Sequence, residues 1–573
     1  MNESRAGRRV LVLALALLPA FAAQQARARA PDPLPPAPTA PTGVFSDFLA
    51  GRLAADQSDP RVAAQDFLRA LAVAPASPEL LQQALLAATM GGLPEAVGLA
   101  KQLPDNPIAQ MLLGDEAARS GDWDGAAQRF RALPQDGVTR LLRPFLIAWA
   151  EQGAGRTDAA LTGLQPMLND PQVRGVSALH AALIADLAGR TANAAQFYHI
   201  AQTEYGNPSI RLAQILASFE ARQGHEAEAL QTLNTAVEET PIMAIALPAV
   251  AASLHQRLVP SALDGMAEAY LGLAGALRQD NEDQVATVLL QLALALRPDF
   301  SAARLVIADI LETEHHPQRA IDALAPVGTD DPLAAVVQMR RAELEATAGH
   351  DGEALRQLQV LAKSYPDSTL PDVEAGDLLR IKGDYPAAAA AYGRAIARIA
   401  TPSERDWPLF YDRGVADDQA DRWPLAEADF QHALQLAPGQ PVVLNYLGYS
   451  WADRDEHLDE ARKMIEQAVH QHPDDGAMID SLGWVMLRQG DIADAVQTLE
   501  HATELMPEDA TINGHLGDAY WAAGRKIEAA YQWRRALTLN PLPADAAKLQ
   551  AKLHETTTQA AAQATVGQEQ HIP

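Results

Sequence analysis

Apolar and small residues recur on a helical period through the C-terminal third of the chain, and the whole pattern then repeats. SLGWVML (481–487) and HLGDAYW (515–521) share a Leu-Gly centre, with Gly483 and Gly517 separated by 34 residues. Downstream, Ala495, Leu499, Ala502 and Pro507 return as Ala529, Trp533, Ala536 and Pro541 at the same interval. Upstream, Gly448 leads to Ala461, Ile465, Ala468 and Pro473 with one extra residue in the turn, and Gly414 leads to Ala426, Phe430, Ala433 and Pro438. Apolar positions three and four apart predict two helices per unit, with proline ending the second. A helical glycine costs roughly 1 kcal/mol relative to alanine, so its recurrence needs a packing reason. Where two helices cross closely, only Gly or Ala lets the backbones approach, and large neighbours fill the space between.

Weaker copies extend the pattern over most of the chain. Gly51, Ala63, Phe67, Ala70 and Pro75 keep the full spacing, and Gly114, Ala126 and Phe130 keep the first part of it. Ala274, Ala286, Leu290, Ala293 and Pro298 follow, then Ala308, Ala320 and Leu324, then Gly376, Ala388, Tyr392 and Ala395. Looser pairs lie around Ala148 and Ala160 and around Ala217 and Ala229, so about fourteen helix pairs are expected. Pro241, Pro248 and Pro260 interrupt any continuous helix, which predicts a break over 241–265. The expected organisation is an N-terminal degenerate array (44–240), that break, a middle array (266–400) and a well-formed block (401–541). A helix over 542–555 would cover the open end of the stack.

A 34-residue helix-turn-helix unit with small residues at positions 8, 20 and 27 and proline at position 32 resembles the tetratricopeptide repeat (TPR). The resemblance implies an all-α fold, a right-handed superhelix of antiparallel helix pairs whose first helices line a concave surface. Carried onto the matching positions, it assigns a partner-binding groove to Tyr411, Asp412, Asn445, Tyr446, Tyr449, Asp480, Trp484, His515, Asp518 and Trp521, with Asp418, Asp453 and Arg488 beside them. Trp451, Met486, Tyr520 and Trp533 fall on core positions. The groove so defined is aromatic and acidic. It departs from the TPR subclass that clamps C-terminal carboxylates with lysine, asparagine and arginine, because it holds no lysine and an acidic peptide would be repelled. The LNYLGYSWADR, IDSLGWVMLRQG and NGHLGDAYWAAGR block is similar to periplasmic and outer-membrane-associated TPR adaptors that deliver substrates to a carboxyl-terminal processing protease. Those adaptors are typically lipoproteins, whereas this chain has no cysteine.

Composition sharpens the picture. The formal net charge is −28, which disfavours nucleic acid and anionic lipid and favours partner proteins with basic or apolar segments. The absence of cysteine removes disulfides, thiolate metal sites and lipidation at cysteine. MNESRAGRR followed by VLVLALALLPAFAA, with Ala20 and Ala22 at a cleavage position, reads as an export signal over 1–23, which predicts a periplasmic protein. No later segment reaches about 18 uninterrupted apolar residues, so no direct membrane insertion is expected. PDPLPPAPTAP lies in a Pro/Ala-rich linker (24–43), and 556–573 lacks a hydrophobic face and is expected to be disordered.

No catalytic constellation stands out: there is no HExxH, phosphate-binding glycine loop or Gly-x-Ser-x-Gly elbow. His315 with His316 and His470 with His472 are the closest histidine pairs, and neither has the spacing of a metal site on one helix face. The expectation is therefore a non-enzymatic scaffold or adaptor without catalytic residues, metal or cofactor. It would use two surfaces at once, the C-terminal groove for one protein and the N-terminal array for another, with gain through effective concentration. The alternatives are a scaffold for exopolysaccharide synthesis and export, or, in another class, the helical part of a transferase. The oligomeric state is left open by the sequence.

Overall fold

The computed structural model describes residues 43–205 and 209–555. The expected export signal, all of the linker but Gly43, and the tail lie outside the described residues. Among the described residues all regular secondary structure is helical, in fourteen pairs joined by short turns. The chain forms two compact units that meet in sequence between Pro371 and Asp372, a boundary that falls neither at 241–265 nor at residue 400.

The first unit opens with six pairs. They are α1 (Val44–Asp56) with α2 (Pro60–Val73), α3 (Pro78–Met90) with α4 (Glu95–Ala100), and α5 (Pro107–Arg119) with α6 (Trp123–Arg131). Next come α7 (Gly137–Gly153) with α8 (Thr157–Leu168), α9 (Arg174–Leu187) with α10 (Thr191–Tyr205), and α11 (Ile210–Arg222) with α12 (Glu226–Glu239). A 3-10 turn over Pro241–Ile245 and the short α13 (Leu247–Ala252) then carry Pro241 and Pro248, and Pro260 lies in the loop that leads into the next helix. Three more pairs complete the unit: α14 (Ala262–Gln279) with α15 (Asp283–Leu296), α16 (Ser301–Thr313) with α17 (Pro317–Leu324), and α18 (Ala334–Thr347) with α19 (Asp351–Ser364).

The second unit holds α20 (Leu370–Ile381) with α21 (Tyr385–Ile396), α22 (Trp407–Gln419) with α23 (Trp423–Leu436), and α24 (Pro441–Asp453) with α25 (Leu458–Gln471). It ends with α26 (Gly476–Gln489) and α27 (Ile492–Leu505), α28 (Ala510–Ala522) and α29 (Lys526–Thr538), and a last helix over 543–555. Local sequence sets the helix starts. Asp475 and Asp509 accept hydrogen bonds from the first backbone N–H groups of α26 and α28, satisfying donors that have no partner inside the helix.

The repeating glycines sit where the backbones nearly touch. A Cβ on Gly414 would lie 2.7 Å from the Phe430 ring, and one on Gly448 would lie 2.8 Å from Ile465 and 3.0 Å from the Ala461 carbonyl. The same holds for Gly51 under Phe67, Gly114 under Phe130, Gly376 under Tyr392 and Gly517 under Trp533. Where the facing residue is Leu290 or Leu324, the first helix carries Ala274 or Ala308 instead, and all four are buried. In these pairs a ring on the second helix goes with glycine on the first, and Gly448 and Gly483 leave the same room for Ile465 and Leu499. The extra residue between Gly448 and Ala461 is absorbed in a turn where Asp455 and His457 take left-handed backbone angles (φ 57° and 45°). Trp451, Met486, Tyr520 and Trp533 are buried, as core positions require.

The middle of the first unit departs from simple stacking. Helix α14 packs on α7 and α9, and α15 packs on α3 and α5, the first helices of the N-terminal pairs. Gly265 of α14 lies directly on the Trp149 ring of α7, and Tyr270 donates a 3.0 Å hydrogen bond to Asp115 of α5. Burial raises the Asp115 carboxyl well above its ordinary range, only partly offset by the Tyr270 hydrogen bond and the Arg119 charge. Trp149 in turn donates to His180 Nδ1 at 3.1 Å, and burial pushes His180 down to about 3, so this imidazole is neutral. Part of the inner face of the N-terminal array is therefore covered by helices of the same unit.

Replacing Gly517 by alanine tests the nesting rule. Overpacking typically costs about 1–3 kcal/mol, more than the roughly 1 kcal/mol of helix propensity gained, so the melting temperature falls. Adding Trp533→Leu recovers part of the loss, because alanine over leucine is the pairing at Ala308 and Leu324. Thermal unfolding of the single and double variants measures both effects.

Candidate functional site

The first helices α22, α24, α26 and α28 carry all ten groove residues, but they do not stand side by side in an open trough. Tyr411 and Asp412 of α22 are half-buried. Tyr411 meets Tyr446 of α24 edge-on with ring centres 5.9 Å apart, and Tyr446 leans on Phe430 at 4.9 Å. Tyr446 is 8% exposed, its hydroxyl donating to Asp418 at 3.0 Å, and Arg454 reaches the other Asp418 oxygen at 2.7 Å. Asn445 is buried at 1% exposure and presents no surface.

Further along, the rings close on each other. His515 of α28 stacks on Trp484 of α26 with centres 4.2 Å apart and planes at 21°, and Tyr449 of α24 approaches its ring at 6.2 Å. Asp480, 5% exposed, lies 2.9 Å from His515 Nδ1. Trp484 is 9% exposed. Asp518 accepts from Trp533 Nε1 at 2.9 Å and from Lys552 Nζ at 2.6 Å. Trp521 is half-buried, 5.6 Å from the Trp533 ring, with the Lys526 ammonium 4.9 Å above it. Arg488 lies over the Trp484 ring, 5.6 Å from its centre, and pairs with Asp455.

The structure thus divides the sequence-derived residues. Tyr411, Asp412 and Tyr449 present partial surface, and Asp453 is exposed beside them. Asn445, Tyr446, Asp480 and Trp484 are enclosed between helices. Three participants have no counterpart in the sequence reading of the groove. Asp377 and Arg380 of α20 act on Asp412, and Lys552 of the last helix acts on Asp518. The helical period of 543–555 already showed an apolar face with Leu549 on it, and Lys552 lies three residues after that leucine.

The first unit contributes a different feature, a cavity of about 1360 Å³ between α1–α5 and α15–α17. Leu86, Met90, Leu112, Leu292, Ile307 and Leu311 are among its apolar walls. Arginines on its rim tie helix ends together. Arg61 donates to the Gly91 carbonyl at 3.1 Å, Arg119 to Ala295 at 3.3 Å, Arg304 to Ala323 at 3.1 Å, and Arg319 to Ser58. Cations on C-terminal carbonyls also complement the helix dipole. Among the described residues no group of three or more His, Asp or Glu side chains stands in metal-binding geometry, and no helix is long and apolar enough to cross a membrane.

Two groups on the second unit's inner face titrate unusually. Burial, helped by the negative charge of Asp377 and opposed by Arg380, pushes Asp412 up to about 7. Its ionisation therefore costs stability as pH rises from the ordinary carboxylate range toward 7. Asp412→Asn is expected to leave the melting temperature unchanged near pH 4 and to raise it at pH 8. For His515, burial pulls the pKa down, but the charge and hydrogen bond of Asp480, with the charge of Asp518, outweigh burial and the opposing Lys552, and the net shift is upward. The stability this gives is complete below about 6.5 and is lost as pH rises through the folded value. His515→Gln should therefore lower the melting temperature more at pH 6 than at pH 9, read by tryptophan fluorescence.

Comparison with known proteins agrees with this architecture. The sequence model of the tetratricopeptide repeat family matches residues 452–510 and 481–542. A TPR repeat-containing protein of Pseudomonas aeruginosa is 30% identical over 219 residues, a match covering 38% of this chain and 36% of that relative. The chain thus matches about a third of the relative's length. A tetratricopeptide repeat protein from Parabacteroides merdae matches 44% of this chain and 97% of its own at 15% identity, with a TM-score of 0.36. Yeast Tom70 matches 90% and 96% at 14% identity, with a TM-score of 0.32. With its repeated small-over-large helix pairs, the chain carries tetratricopeptide repeats over the matched residues and is similar to tetratricopeptide repeat proteins.

Proposed function

We propose that this protein is an exported, non-catalytic scaffold of the cell envelope, and that the inner face of its second unit holds a basic, partly apolar segment of a partner protein. The observation that carries this reading is the grouping of Tyr411, Asp412, Tyr449 and Asp453 on α22 and α24, where partly exposed rings lie among carboxylates. Tyrosine supplies contact area at low entropic cost, and carboxylates steer a basic partner while repelling an acidic one. The net charge of −28 adds a long-range field of the same sign, which disfavours nucleic acid and anionic lipid as partners. Export rests on the charged and then apolar residues at the N-terminus.

The resemblance of the C-terminal block to envelope adaptors supports a finer reading, in which the scaffold presents substrates to a periplasmic protease or a cell-wall enzyme. The partly covered inner face of the first unit favours one principal docking face over two.

Photo-crosslinking in intact cells tests both levels, with the crosslinker placed at exposed Gln419 or Asp453 and, as a control, at exposed Leu425 on α23. A defined protein captured from the two inner positions and not from Leu425, with capture reduced about tenfold by Asp412→Asn with Asp453→Lys, is the expected result. Equal capture at all three positions, or none, overturns the docking face. Polysaccharide synthases among the captured proteins, or transferase activity in the purified chain, would replace the adaptor reading.

A further inference from the structure

The last helix, 543–555, is attached differently from every other helix of the second unit. It follows Pro541, Leu542 and Pro543 and runs alongside α28, with Leu549 over Gly514 and Lys552 over Asp518. Leu549 is its one fully buried side chain, at 5% exposure, packed in a cluster with Leu516, Tyr520 and Trp533. Leu553 lies half-buried against the same cluster. Lys552 Nζ sits 2.6 and 2.7 Å from the two Asp518 oxygens and 5.8 Å from the Trp533 ring centre. Asp545 comes near enough to Tyr449 to act on it electrostatically. By contrast, α28 beneath it buries Ile512, Asn513, Gly514, Leu516, Gly517, Ala519 and Tyr520.

A helix of this length is marginal on its own in water. One buried leucine supplies most of its hold, and a partly exposed ion pair adds little to it. Segments with so few buried contacts open locally at far lower cost than the core. The surface beneath does not need the helix for its own geometry. Trp533 stays pinned by Gly517 below it and by its Nε1 hydrogen bond to Asp518, and both partners belong to α28. That surface offers a backbone stripped of its side chain at Gly514, an apolar floor and a carboxylate beside an indole.

We propose that 543–555 is a displaceable occupant of this surface, and that the surface docks an amphipathic helix of a partner protein carrying lysine or arginine three residues after a leucine-sized side chain. The chain's own Leu549, Lys552 and Leu553 are the template for that partner. Tethering keeps the internal helix at a millimolar-range effective concentration, so a partner's apparent affinity is reduced by the fraction of molecules that are open. The cover therefore sets a threshold that only a better-fitting or locally concentrated helix passes. This face adjoins the first at Tyr449, which Asp545 reaches, but its anchors Gly514, Asp518 and Trp533 are distinct from Tyr411, Asp412 and Asp453, so a probe for either set reads it without the other.

The test uses the full-length protein and a fluorescent synthetic peptide of residues 542–555 as probe. The wild type is expected to bind it weakly, and the cover-release variant L549D/K552E at least tenfold more tightly. Adding Asp518→Asn, which keeps an acceptor for Trp533 but removes the charge, should weaken that binding at least fivefold. Hydrogen exchange of the wild type should show 543–555 exchanging at least tenfold faster than α28 and α29. Loss of protection in α28 or α29 in the L549D/K552E protein would make the helix an integral cap and overturn the proposal, as would peptide binding that is absent or equal in the two proteins.

Discussion

Everything in this molecule depends on how closely two helices can cross. A ring on the second helix of a pair needs a bare backbone on the first, and the chain supplies one beneath Phe67, Phe130, Tyr392, Phe430 and Trp533. The propensity lost at each glycine, roughly 1 kcal/mol, is smaller than the roughly 3–5 kcal/mol that deleting a buried aromatic side chain typically costs. The exchange is favourable wherever the ring is fully enclosed, and Phe130 and Phe430 are 0% exposed. Alanine takes the glycine's place opposite Leu290 and Leu324, whereas Gly483 stays bare against Leu499. The pairing is thus a size complementarity that repeats because the helix pair repeats, and it makes each pair a rigid platform for the side chains on its outer edges.

The same rule, applied across a long sequence separation, explains the first unit. Gly265 meets Trp149 as Gly517 meets Trp533, but the two lie on pairs far apart in sequence. Helices α14 and α15 pack on the inner faces of α3, α5, α7 and α9, where Tyr270 donates to Asp115 and Trp149 to His180 Nδ1. Over α7 and α9 that contact is a core, while α3 and α5 also wall the cavity they share with α15–α17. The break at Pro241, Pro248 and Pro260 is what lets the chain turn back into it, since a continuous helix could not.

Local spacing was legible in the sequence and long-range contact was not. The interval between Gly483 and Gly517 fixed the helix pairs, their turns and the buried positions of Trp451, Tyr520 and Trp533, because those contacts lie within one repeat. The fold-back of α14 had no such trace, since Gly265 carries no periodic partner. The groove residues fall between these cases. Repeat position says which way Tyr449 and Trp484 point, but Tyr449 reaches His515 two pairs away, and that reach depends on how tightly the pairs stack. Enclosure of Asp480 and Trp484 follows from stacking that no single repeat encodes. Lys552 was visible in an amphipathic segment, but its seat on Asp518 was not.

Charge gives the inner face of the second unit a direction as well as a sign. Most arginines there are committed: Arg454 to Asp418, Arg488 to Asp455, Arg422 to Asp417 and Arg413 to Asp429. Asp453 remains exposed to solvent on this face. Asp412, held near 7 by burial and by Asp377, gains its charge as pH rises, and His515, held above its ordinary value by Asp480, loses its own when pH passes its raised value. Both changes have the same sign: each makes the inner face more negative as pH rises. A neutral His515 gives Asp480 no compensating charge, and an ionised Asp412 has only Arg380 to offset Asp377. A cation arriving from a partner therefore meets a face whose attraction grows with pH while its internal stability declines, so the electrostatics that would bind a basic segment are the same that loosen the unit holding it.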